Sequence, residues 1–152
     1  MLWTPQKGMV DCFTNTGIIG TTTPGVGVPG HATTADTDGA VTEILSAAAN
    51  LRDSWGICIQ INNTGLSATA AQAKCTILVG GATDDVLIPD LICGYSVTNK
   101  SGHNYFFPLH IPGGVRLAAV LNSVRTGITA RVSVWLHSGG VPPFKVGSRV
   151  SV

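Results

Sequence analysis

The chain has 152 residues, the size of one domain with a single core. Only 11% of its residues are charged, against about 25% in an ordinary soluble domain, while 44% are hydrophobic and the formal net charge is +1. Nine Lys and Arg scattered among eight Asp and Glu speak against a basic stripe for nucleic acid, and no run approaches the ~18 apolar residues of a membrane span.

Residues 1–40 concentrate Gly, Thr and Pro with little periodicity and read as an extended N-terminal arm. The first of them, MLWTPQKGMVDCF, lack the charged-then-apolar order of a secretory signal, so synthesis in a cytoplasm is expected. Within the arm, PGVGVPGH places Gly25, Gly27 and Gly30 in the G-x-G-x-x-G pattern. Such glycines cradle a pyrophosphate only between a strand and a helix N-terminus, and here no helical period follows and Pro29 stands inside the motif. No nucleotide and no other cofactor is expected. The segment is instead suited to lying extended along a neighbouring subunit, the alternative being a disordered tail. Asp36-Thr-Asp38-Gly39 begins like a calcium loop, but Glu43 is too near to close one, so a turn is expected and no metal.

From residue 41 onward the pattern is β, and 41–152 reads as one antiparallel β-sandwich, jelly-roll-like, with strands near 41–46, 55–62, 73–79, 86–88, 91–97, 105–111, 115–122, 128–136 and 145–150. Ser46-Ala-Ala-Ala-Asn-Leu51 is a short helical turn or a small-residue loop, and Asp84, Asp85 and Asp90 read as solvated turn residues. In the 55–61 strand Ile57, Ile59 and Ile61 share a face with Trp55, which leaves Cys58 on the other side, whereas Cys75 shares the apolar parity of Ile77 and Val79. A cross-strand bond between them would join opposite faces, so Cys12, Cys58, Cys75 and Cys93 are expected to be reduced structural thiols. Opposite the apolar parity of the 115–122 and 128–136 strands lie Arg116, Arg131 and Trp135, residue types enriched at interface hot spots. His31, His103, His110 and His137 have no metal-ligand spacing, and G-x-S-x-G is absent, so a non-enzymatic protein is expected.

Thr34–Ile44, the stretch Tyr105–Arg116 with its F-P-L-x-I-P-x-G-x-R pattern (Phe107, Pro108, Leu109, Ile111, Pro112, Gly114, Arg116), and Arg131–Gly140 resemble small structural proteins of tailed-bacteriophage virions, including head decoration (cement) proteins. Val120 stands where the related pattern carries a second arginine. The resemblance implies a β-sandwich made in the host cytoplasm that binds the capsid exterior, with the major capsid protein and copies of itself as partners and a trimer as the favoured oligomer. On that view Gly25, Gly27, Pro29, Gly30, Arg116, Arg131 and Trp135 are the candidate interface. The competing reading is a tail or fibre module that binds host carbohydrate, which three Trp, two Tyr and four Phe supply with few exposed platforms.

Overall fold

The computed structural model describes residues 18–20, 25–63, 72–80, 83–93 and 102–137. They form an all-β sandwich of two antiparallel sheets. In chain order the strands are β1 (Ile18–Gly20), β2 (Val26–Pro29), β3 (Thr37–Asp38), β4 (Thr42–Leu45), β5 (Gly56–Asn63), β6 (Ala73–Gly80), β7 (Asp84–Ile92), β8 (His103–Phe107), β9 (Arg116–Ser123) and β10 (Thr129–His137). The first sheet runs β1-β10-β5-β8 and the second β3-β9-β6-β7. In each, two short strands share one outer edge: β2 continues β1 along β10, and β4 continues β3 along β9.

Period-two alternation produces this arrangement, since successive side chains of a strand point to opposite faces. Ile57, Ile59 and Ile61 of β5 and Ala130, Val132, Val134 and Leu136 of β10 face Cys75 and Ile77 of β6 and Leu117, Ala119 and Leu121 of β9 across a single core, each no more than 1% exposed. Each large aliphatic side chain so buried contributes about 1.5–3 kcal/mol. A separate cluster of Leu78, Ala118 and Val120 occupies the opposite parity of β6 and β9, the outer face of the second sheet.

Part of the expected arm is described, and residues 1–17 and 21–24 of it lie outside the described residues. Residues 25–30 are extended, but Val26–Pro29 is hydrogen-bonded to Thr129–Val132 of its own chain, and Val28 is fully buried in the common core. The alternation Val26, Val28 against Gly27, Pro29 is a strand pattern that the surrounding glycines hide, and a proline is compatible with it because the strand is at an edge. Gly25 shows why glycine is required there: its φ is +89°, and a Cβ would sit 2.5 Å from Ser133 Oγ and 2.8 Å from the Val132 carbonyl oxygen.

The expected strand at 86–88 and the start of the one at 91–97 belong to one strand, β7, which continues through Pro89, while residues 94–97 lie outside the described residues. An edge strand needs no ladder bond from Pro89, and the register shift beside it is taken up by Asp90, at φ +49°, whose N–H donates to Thr76 Oγ1. The strand expected at 105–111 ends at Phe107, and the one at 145–150 lies outside the described residues. Cys75 and Cys93 are buried thiols of the core, with burial pushing each up to about 12. Cys58 is a half-buried thiol on the outer face, and Cys12 lies outside the described residues.

The 108–115 loop, the most distinctive part of the sequence pattern, is held from within. Leu109 packs on the core, and Ile111 is buried and exchanges backbone hydrogen bonds with Ser54. Asn50 Nδ2 donates to the carbonyls of Pro112, at 2.9 Å, and Val115, at 3.1 Å, while the Asn50 carbonyl accepts from Gly114 N–H. Asn50 is fully buried and ends a turn in which the N–H groups of Ala49 and Asn50 both reach the Ser46 carbonyl. Replacing Asn50 by Ala strands two carbonyl acceptors and opens a small cavity, a loss of about 2–4 kcal/mol readable by denaturant unfolding.

Candidate interaction surface

The two outer faces of the sandwich carry different chemistry. On the second sheet Arg116 is used within the chain. Its Nη2 lies 2.7 Å from both carboxylate oxygens of Asp84, and its Nε lies 4.0 Å from Glu43 Oε2. Arg116 pairs with Gly80, and Gly80 with Asp84, so the guanidinium crosses the intervening strand over a residue without a side chain. At Gly80 a Cβ would sit 2.2 Å from the Thr83 carbonyl oxygen. Asp84 is therefore the anchor of an ion pair and not a solvated turn residue as expected, because β9 and β7 converge on Gly80. Lys74 with Asp90 at 3.7 Å, and Asp38 accepting from Asn122 Nδ2 at 2.9 Å, lie on the same face beside the Leu78, Ala118 and Val120 cluster and the exposed Val86 and Ile92. Asp38 is in β3, paired with Asn122 of β9, and Asp36 is in the turn that precedes β3, its N–H donating to the Ser123 carbonyl.

The first sheet presents a face of another kind. Its outward positions are Gly56, Cys58, Gln60 and Asn62 on β5, Thr129, Arg131, Ser133, Trp135 and His137 on β10, and Asn104 and Phe106 on β8. No carboxylate occurs among these described positions, and Arg131 is their one permanent charge. Trp135, Cys58 and Phe106 form a single cross-strand row that ends at the edge strand β8, where Phe106 is 55% exposed. Phe106 lies across Gly56, whose Cβ would be 3.0 Å from the ring. His137 meets the same ring edge to face, with centroids 5.8 Å apart and planes at 82°. Below the face, the Tyr105 hydroxyl donates to the Ile92 carbonyl and ties the edge of this sheet to the edge of the other.

The sequence-predicted set is thus divided. Arg131 and Trp135 share the outer face of the first sheet, and Arg131 Nη1 donates to the Gly25 carbonyl at 3.2 Å. Gly25, Gly27 and Pro29 border them along β2, and Gly30, buried, donates its N–H to the Ile128 carbonyl at 2.7 Å. Arg116 is on the opposite outer face, committed to Asp84. Parity within one strand places a residue inside or outside but does not say which of two sheets the strand joins, so Arg116 could not be separated from the other two by sequence. Phe106, Cys58 and His137 were missed as a group for the same reason, although Cys58 was placed on the outer parity.

At one end of the sandwich Asp53 accepts from Gly113 N–H at 2.9 Å and lies 3.5 Å from His110 Nε2, and His110 stacks on Trp55 with centroids 4.5 Å apart. The Gly113 hydrogen bond, with His110 second, holds the Asp53 carboxyl below its ordinary 3.8. A carboxylate with a lowered folded value adds stability above its unfolded value, and this is lost as pH falls through the folded one. Asp53→Asn is accordingly expected to lower the thermal midpoint slightly at neutral pH and to flatten its fall below about pH 4, where wild type and variant converge.

No protein-family model matches the chain, and no curated protein matches its sequence. Among solved structures it is similar to a chain in the structure of infectious bursal disease virus Gx strain, at 12% identity and a TM-score of 0.34, covering 82% of this chain and 33% of that one. A chain of the Gt strain structure is similar at 14% identity and a TM-score of 0.29, covering 82% and 30%. The chain thus spans about a third of the length of the viral chains it is similar to.

Proposed function

We propose that the protein is a non-enzymatic structural protein of a bacteriophage virion that decorates the capsid exterior and stabilises it, docking on shell subunits through the outer face of its first sheet. The observation that carries this reading is the contrast between the two outer faces. One closes its charges among themselves around aliphatic side chains and carries no aromatic ring among the described residues, with Arg116 on Asp84 and Lys74 on Asp90 beside Leu78, Val86 and Val120. The other exposes an aromatic row with amides and one arginine, the composition of an interface centre where charge is depleted and Trp, Phe and Arg are concentrated. The sparse charge of the whole chain supports an assembly subunit, and the resemblance of Tyr105–Arg116 to small structural proteins of tailed-bacteriophage virions supports a virion protein. A self-associating subunit, with a trimer favoured, would repeat this face around a shell axis and gain avidity from several weak contacts.

Capsid shells lacking the protein, mixed with the purified chain and imaged by cryo-electron microscopy, test the proposal. Density at symmetric positions on the shell is expected. Bare shells, with the chain retained instead on a glycan array, would overturn it in favour of a carbohydrate-binding tail module.

A further inference from the structure

We propose that Cys58 and His137 form a reactive thiol–imidazole pair, a site of thiol–disulfide exchange with small-molecule disulfides. Cys58 Sγ lies 3.4 Å from His137 Nε2, within reach of a proton transfer from sulfur to the ring. The two are on adjacent strands, and the register Trp135↔Cys58 with His137↔Gly56 fixes their diagonal approach. Phe106, the cross-strand neighbour of Cys58, packs edge to face with the imidazole at a centroid distance of 5.8 Å and limits the ring's movement. It reaches that position because Gly56 leaves the space beneath it.

The remaining outward neighbours are Gln60 on β5, Ser133 and Trp135 on β10, and Asn104 on β8. Among these described positions His137 is the titratable side chain facing the thiol, and no carboxylate opposes a thiolate. Cys58 is half-buried and so accessible, whereas Cys75 and Cys93 are sealed in the core and kept protonated by burial.

The reaction proceeds with Cys58 giving its proton to His137 and attacking one sulfur of the disulfide. A new S–S bond forms to Cys58, the reagent's own S–S bond breaks, and the departing thiolate takes up the proton from His137.

The test uses the free full-length chain and 4,4′-dithiodipyridine, with the labelled cysteine identified by peptide mass mapping, from pH 5 to 9. Cys58 is expected to react at pH 7 about fivefold faster than glutathione, with a pH midpoint below the ordinary thiol value of about 8.5. His137→Gln is expected to return both rate and midpoint to those of glutathione, with circular dichroism reporting the fold. Phe106→Ala keeps the base but frees the ring, and is expected to slow the reaction about twofold. A wild-type Cys58 that reacts no faster than glutathione, or with a midpoint at or above the ordinary thiol value, overturns the proposal whether or not the variants fold. So does an unchanged rate in folded His137→Gln.

Discussion

Replacing Val28 by Asp is expected to unfold the domain or to lower its thermal midpoint by roughly 10 °C or more. Val28 is fully buried between the sheets, in a strand that pairs residue by residue with Thr129–Val132. A carboxylate at that position meets Leu, Ile and Val side chains and has no cationic partner among the core residues. Burying such a group costs at least about 3 kcal/mol, and at this chain length each kcal/mol shifts the midpoint by about 2–4 °C. The control is Pro29→Ser, one residue on and exposed, expected to change stability by no more than about 0.5 kcal/mol. Thermal melts followed by circular dichroism decide the matter. If Val28→Asp melts like the wild type, residues 25–30 are dispensable to the sandwich and belong to an arm.

The status of this segment also shows how far the sequence could be read. Strands with uninterrupted alternation, such as Ile57-Ile59-Ile61 and Val132-Val134-Leu136, were legible because one residue of slip would expose every apolar side chain. Val26–Pro29 was not, since four residues carry two apolar positions and the glycines around them raise the apparent flexibility of the chain. What stabilises that strand is its pairing with β10, about a hundred residues away in sequence. Asn50 was opaque for a related reason. A polar residue after three alanines reads as surface, yet its buried side chain satisfies carbonyls 62 and 65 residues distant. The prolines and glycine of the 108–115 loop were visible as a pattern, while the residue that holds them in place was not.

Trp135→Ala combined with Arg131→Ala is expected to weaken attachment to capsid shells by at least about 100-fold while leaving a folded domain. Central Trp and Arg residues of an interface each account for about 2 kcal/mol or more on truncation, and every 1.4 kcal/mol is tenfold in affinity. The cost to folding is smaller. Both side chains point out of the sandwich, and the bond lost is the one from Arg131 Nη1 to the Gly25 carbonyl, a part-buried hydrogen bond worth about 1 kcal/mol. The matching control lies on the opposite face, where Lys74 is exposed and 3.7 Å from Asp90, a surface pair worth no more than about 1 kcal/mol. Lys74→Ala should leave both folding and attachment unchanged. Co-sedimentation of each purified variant with shells measures attachment, and a thermal melt of the same sample measures folding. Loss of attachment in the double variant alone assigns docking to the aromatic face of the first sheet. Full attachment of a folded double variant, with Lys74→Ala weakened instead, would move the docking surface to the second sheet and leave Trp135 as ordinary surface packing.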